Sequence, residues 1–186
     1  TGRWPLRHLD LRQNEVRKAG CEALAGAAFA RTLRVLELPE CEVTAGGVQA
    51  LADAPALAGL RRLDLSANPV GPGGLAALAD SPHLRNLRAL NLNRANLARG
   101  PIAARHVVEF LSALGMPELR HLGLDGLPVA VRGARVLAAA PAFAGLTRLE
   151  LDSCLLGQRG AAALVGSKTL TNLVHLDLGG NKVGAA

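Results

Sequence analysis

Apolar positions along this chain fall into a phrase that restarts. The pattern LxxLxL opens at Leu6, Leu33, Leu60, Leu87, Leu119, Leu146 and Leu173, with steps of 27, 27, 27, 32, 27 and 27 residues. Alternation over LxLxL has the two-residue period of a strand with one buried face. Five residues beyond the third Leu stands Val16, Val43, Val70, Leu97, Val129, Leu156 or Val183. Gly20, Gly47, Gly74, Gly133 and Gly160 follow at a fixed offset. A helical rhythm such as Leu75, Leu78 and Ala79 comes next, and an apolar residue such as Leu57, Leu84, Phe143 or Leu170 closes the unit. Each unit therefore predicts one short strand and one helix. Neither can bury its apolar face alone, so the units must stack on one another.

The phrase LxxLxLxxNxV with GxxxLA behind it resembles a leucine-rich repeat, and a 27-residue period with a helical second half is similar to the ribonuclease-inhibitor-like subclass. The resemblance covers residues 1–186 and implies an α/β fold. That fold is a solenoid curved into a horseshoe arc, with parallel strands on the concave face, helices on the convex face and about seven repeats. It also implies work by binding, since the family mostly engages protein partners through the concavity. Within the unit from Leu60, the reading has Asn68 end the strand, Gly71 to Gly74 turn the chain and Leu75 to Ala79 begin the helix. GPGG is no phosphate loop, because Leu75 and Ala76 stand where Lys and Ser or Thr would be needed. GGNKVG at 179–184 fails the same test.

Two departures from the repeat carry information. The column of Asn68 ties successive turns together in this family, and here it reads Asn14, Cys41, Asn68, Ala95, Leu127, Cys154 and Asn181. Ala95 and Leu127 cannot make those bonds, so backbone groups in repeats 4 and 5 need water or a rearranged turn, and a change of curvature or twist is expected there. Cys41 and Cys154 read as buried structural thiols too far apart for a disulfide. The second departure is the five-residue excess of repeat 4, in ARGPIAARHVVEFLSALGMPE. Pro101 suits a helix start, Val107, Phe110, Leu111 and Leu114 have helical spacing, and Gly115 suits a helix end, so the insertion is expected to lengthen a convex helix by more than a turn.

Composition narrows the class. The core must be built from Leu, Ala and Val, because the chain holds no Tyr, one Trp and three Phe. Cys21, Cys41 and Cys154 form an odd, widely spaced set without a CxxC, which predicts reduced thiols and a cytoplasmic setting. No apolar run approaches the length of a membrane span. The chain opens on Thr1 rather than Met and stops midway through repeat 7, which reads as a segment of a longer protein.

Candidate functional positions are those of the strands that point away from the core. Two residues after each opening Leu the column reads His8, Val35, Arg62, Ala89, His121, Arg148 and His175. The next column reads Asp10, Glu37, Asp64, Asn91, Gly123, Glu150 and Asp177, and the third reads Arg12, Pro39, Ser66, Asn93, Asp125, Asp152 and Gly179. This predicts an outward-facing acidic stripe beside a His and Arg stripe, interrupted at repeats 4 and 5. A bland alternative is that the two stripes only neutralise each other.

The formal charge of +6 comes from 18 Arg and 3 Lys against 15 acidic residues. Most of the Arg lies off these columns, at Arg7, Arg34, Arg61, Arg88 and Arg120 and in the turn and helix halves. A floor carrying Asp10, Glu37, Asp64, Glu150 and Asp177, without aromatic platforms, argues against a nucleic-acid groove. GxSxG, HExxH and metal-spaced Cys or His clusters are absent from the sequence, and HVVEF, with His106 and Glu109, reads as a solvated helix face. No enzyme, metal or cofactor is indicated. The leading reading is a module that binds a protein partner through its concave strand face. The alternative is a structural or regulatory segment of a larger protein, with nucleic-acid binding a minority reading and oligomeric state open.

Overall fold

A computed structural model describes residues 4–95 and 102–184 of the chain. Seven three-residue strands form one parallel sheet in chain order: β1 (His8–Asp10), β2 (Val35–Glu37), β3 (Arg62–Asp64), β4 (Ala89–Asn91), β5 (His121–Gly123), β6 (Arg148–Glu150) and β7 (His175–Asp177). The helices between them are α1 (Arg17–Gly26), α2 (Ala45–Ala52), α3 (Gly71–Asp80), α4 (Ala104–Ala113), α5 (Ala130–Ala139) and α6 (Gly157–Val165). Consecutive strands pair, and consecutive helices pack against each other, so every repeat forms one rung of an α/β repeat solenoid.

The register follows the sequence phrase. Leu9, Leu36, Leu63, Leu90, Leu122, Leu149 and Leu176 pair in one continuous row. Leu36, Leu63, Leu90, Leu122 and Leu149 are wholly buried, and each stabilises the stack by roughly 1.5–3 kcal/mol through removal from water. Rungs 4 and 5 keep the same register as the rest, so the interruption expected there does not reach the strand pairing.

Asn68 is fully buried and behaves as the repeat requires. Its Oδ1 accepts the amides of Cys41 and Val43, both at 2.9 Å, while its Nδ2 donates to Leu38 O at 2.6 Å. Asn181 does the same for Cys154, Leu156 and Leu151. Where the column holds Cys, the thiol donates to the preceding rung, from Cys41 Sγ to Leu11 O (3.0 Å) and from Cys154 Sγ to Leu124 O (3.1 Å). Where it holds Ala95 and Leu127, the turn tightens instead. In the rung before each, the Val70 amide donates to Asn68 O (2.9 Å) and the Ala95 amide to Leu92 O (3.0 Å), so local turn bonds take up these amides. The residue just before this column takes a left-handed conformation in every repeat, at Gln13, Glu40, Ala67, Arg94, Gly126, Ser153 and Gly180.

Two expectations are corrected. GPGG is not a turn ahead of the helix, because α3 begins at Gly71 and these residues are its first turn, with Pro72 near the helix start, where its missing N–H costs nothing. The excess in repeat 4 does not lengthen a helix: α4 has 10 residues, as do α3 and α5. Its apolar stripe of Val107, Phe110, Leu111 and Leu114 is buried as expected, and the helix ends at Ala113, two residues before Gly115. The extra length lies between strand and helix, since 11 residues stand between Leu92 and Ala104 where 5 stand between Leu65 and Gly71. Ala103 is extended and bounds the helix, so the excess cannot join it. Leu97, Arg99 and Pro101 lie outside the described residues.

Candidate functional site

The three predicted columns do share the strand face, but burial divides them. Glu37, Asp64 and Glu150 are buried, with 9%, 6% and 8% of their surface exposed, whereas His8, Asp10, Arg12, Arg62, Arg148 and His175 are exposed. His121, Asn91, Asn93, Asp125, Asp152 and Asp177 are half-buried. The outward acidic stripe is therefore corrected in part: Glu37, Asp64 and Glu150 lie beneath the His and Arg tips, while Asp10 stays exposed and Asp125, Asp152 and Asp177 are half-buried.

The short acids and amides have a backbone task. At the end of each strand the chain turns, and the amide two residues on from the acidic column loses its ladder partner. Asp10 Oδ1 accepts the Arg12 amide (3.0 Å), Asp64 Oδ1 that of Ser66 (2.9 Å), Asn91 Oδ1 that of Asn93 (2.9 Å) and Asp177 Oδ1 that of Gly179 (2.9 Å). The remaining three rungs solve the problem differently. Pro39 has no amide to satisfy. The Asp125 amide is taken by Asn93 Oδ1 (2.9 Å), and the Asp152 amide by Asp125 Oδ1 (2.7 Å). All seven strand-end positions are thus accounted for.

Glutamates stand in two of these three rungs, where the strand-end position makes no demand on them, and their longer side chains reach sideways into hubs. Glu37 gathers His8 Nε2 (3.4 Å), Arg12 Nη2 (3.2 Å) and Arg62 Nε (3.3 Å). Glu150 accepts from Arg148 Nε (2.6 Å) and Asn93 Nδ2 (2.8 Å), and His121 Nε2 lies 3.3 Å from its Oε1, out of line for a hydrogen bond. Burial alone would raise the Glu150 carboxyl, but the hydrogen bonds from Asn93 and Arg148 and the charges of His121 and Arg148 outweigh it and hold it below its ordinary range. Asp125 moves the other way: burial raises it, and Glu150, Asp177 and Asp152 add like charge.

The second hub depends on a missing side chain. Asn93 reaches from rung 4 to Glu150 on rung 6 by crossing over Gly123 on rung 5. A Cβ at Gly123 would stand 2.7 Å from Asn93 Oδ1, 2.9 Å from Asn91 Oδ1 and 3.0 Å from Glu150 Oε2. What reads in sequence as a gap in the stripe is therefore the passage for this bridge. Sequence reasoning missed both hubs, although the signal was present in the two Glu of an otherwise Asp, Asn and Gly column and in Pro39.

The cysteines belong to the core. Cys21, Cys41 and Cys154 are free and wholly buried. Burial pushes the Cys21 and Cys154 thiols up to about 12, leaving no thiolate for chemistry near neutral pH. His106 accepts the Ala103 amide at Nδ1 (3.0 Å) and so helps to cap α4, while Glu109 faces solvent. Among the described residues, no helix is long and apolar enough to cross a membrane.

A family model described as "Leucine Rich repeat" matches residues 5–25, 29–52, 60–79 and 169–186. Four of the seven rungs are thus recognised individually, and with the seven-stranded parallel sheet they are consistent with a leucine-rich repeat solenoid. Repeats of this kind are generally scaffolds that mediate protein–protein interaction. No curated protein matches the chain.

Proposed function

We propose that the strand face of this solenoid recognises a protein partner, with His8, Arg12, Arg62, His121, Arg148 and His175 presented over a floor of Asp10, Glu37, Asp64, Asn91, Asn93, Asp125, Glu150, Asp152 and Asp177. The observation that carries this reading is the pair of Glu hubs. Side chains fixed in advance lose less conformational freedom on association, and Glu37 and Glu150 hold five such tips. The bland reading, in which charges merely cancel, does not require buried carboxylates bridging three rungs.

We further read residues 1–186 as one repeat domain of the ribonuclease-inhibitor-like type. The 27-residue period, the α-helical return segments and the mixed Asn and Cys column support that subclass. The buried free thiols suit a reducing compartment such as the cytoplasm. Binding is favoured over catalysis because the strand-face carboxylates and amides are engaged in holding backbone and one another.

The test uses the partner recovered by crosslinking through the strand face of the intact protein. Arg62→Ala with Arg148→Ala should weaken that complex by about tenfold or more while the chain stays folded, and Arg132→Glu with Arg135→Glu on α5 should leave it within about twofold. Equal loss in both variants would sink the strand-face reading.

A further inference from the structure

A second surface lies at the edge where the chain enters the strands. Residues 7, 34, 61, 88 and 120 are all arginine, and their backbones are bonded rung to rung: Arg34 N to Arg7 O (2.8 Å), Arg61 N to Arg34 O (2.8 Å), Arg88 N to Arg61 O (2.7 Å) and Arg120 N to Arg88 O (2.9 Å). Five arginines are thus stacked one per rung, in a row about 19 Å long at the usual strand spacing of about 4.8 Å.

Three of these guanidinium groups are tethered. Arg34 Nη1 donates to Leu33 O (2.9 Å), Arg61 Nη1 to Asn86 O (3.1 Å) and Arg120 Nη1 to Leu119 O (3.0 Å). Arg34 lies against Gly59 and Arg120 against Gly145, where any side chain would collide with them. One nitrogen is held by a carbonyl, and the rest of the fork remains available for an oxyanion.

The row lacks counter-charge. Among the described residues, none of these five arginines forms an ion pair, in contrast to Arg12, Arg62 and Arg148 on the strand face. Arg31 and Arg85, both exposed, add to the same edge. In the strand-entry segments 28–34, 55–61, 81–88 and 114–120, Glu118 is the single acidic residue. An unpaired row of this kind raises the local concentration of anions.

We propose that this arginine edge is a docking site for an acidic polypeptide segment, whose Asp and Glu carboxylates meet the guanidinium forks rung by rung. The neighbouring strand face decides between polypeptide and nucleic acid. It carries seven carboxylates against three arginines and begins one residue from the row, well within a screening length of about 8 Å. A phosphate backbone is charged along its whole length and would run beside that floor. A polypeptide can place carboxylates on the edge and neutral or basic groups over the face. Stacking platforms for bases are also few along the row: the chain has no Tyr, Phe110 and Phe143 are buried and Phe29 half-buried, and the exposed Trp4 stands near Arg31 at one end only. The proposal concerns a separate surface and stands whether or not the strand face recognises a partner.

The probes are a fluorescein-labelled oligoglutamate peptide and a labelled short DNA duplex, titrated with the 186-residue chain and followed by fluorescence anisotropy at about 50 and about 150 mM NaCl. The peptide should bind and should weaken as salt rises. Arg34→Glu with Arg61→Glu and Arg88→Glu should reduce its affinity by about tenfold or more, whereas Arg132→Ala with Arg135→Ala on α5 should change it by about twofold at most. Should the triple reversal disturb the circular dichroism spectrum, the Gln versions at the same three positions take its place, with a loss of about fivefold expected. Failure of the wild-type chain to bind the peptide at the lower salt overturns the proposal, and so does binding that survives the edge variants. Tighter binding of the duplex, lost in the same variants, overturns the polypeptide assignment and makes the edge a phosphate-backbone site.

Discussion

Asn93 of the fourth rung donates its side-chain amide at 2.8 Å to Glu150 of the sixth, passing over the α-carbon of Gly123 in the fifth. Three repeats are coupled at one point, beyond the nearest-neighbour contacts that describe most of the solenoid.

Gly123→Ala should break this bridge. The added methyl meets three side-chain oxygens, Asn93 Oδ1, Asn91 Oδ1 and Glu150 Oε2, each held in place by a hydrogen bond that must be given up if it moves, and a loss of about 1–3 kcal/mol is expected by chemical denaturation. Gly26→Ala, where no atom lies within 4 Å, should be neutral or stabilising by up to about 1 kcal/mol. A Gly123→Ala chain as stable as the wild type would mean that the bridge contributes nothing.

Replacement of Asn68 by Ala should be costly, because it orphans the buried amides of Cys41 and Val43 and the carbonyl of Leu38 together. About 3 kcal/mol is expected. Asn14, in the same column but exposed and bonded only to carbonyls of its own rung, should lose less than about 1 kcal/mol on the same change. Similar costs at both positions would contradict the ladder.

Ala67 sits at φ +52°, a region in which a Cβ is strained. Ala67→Gly relieves that strain, and stabilisation of about 0.5–1 kcal/mol should appear as a higher melting temperature. A decrease would show that the added backbone freedom of glycine in the unfolded chain dominates.

Glu150 and Asp125 should respond oppositely to pH. Glu150 binds a proton less readily in the folded chain, so its stabilisation is present above its unfolded pKa and is lost as pH falls through the depressed folded value. Asp125 is raised, so its charge opposes folding at neutral pH and that cost disappears as pH falls. Asp125→Asn, which keeps an oxygen for the Asp152 amide, should therefore raise the melting temperature at neutral pH. The gain should vanish below about pH 3.9, where the wild-type carboxyl is protonated in both states. A gain that persists in acid would require another cause.

The periodic part of this architecture was legible in sequence because it depends on side chains doing one job many times. The Leu rows and the strand register follow from a fixed spacing, and the inward Asn68 and Asn181 from the resemblance to a leucine-rich repeat. The depth of Asp64 and Glu150 was not legible, because alternation reports which face a residue is on and not what its neighbours lay over it. Charge reversal of these two, harmless for a surface stripe, should cost about 3 kcal/mol or more for carboxylates already engaged below the surface. The excess of repeat 4 was misplaced for a related reason. Helical spacing from Val107 to Leu114 was real, but spacing alone does not say where a helix begins, and extended Ala103 closes it off from the added residues.

Asn68 and Asn181 complete the amides of the rung before them, and Cys41 and Cys154 donate to the rung before them as well. Support therefore passes backward along the chain. A ribosome delivers the structure in the opposite order, so Cys41 and Val43 emerge about 27 residues ahead of the side chain that satisfies them. Each nascent repeat stays unfinished until its successor arrives, and the growing end is always the least settled part of the molecule.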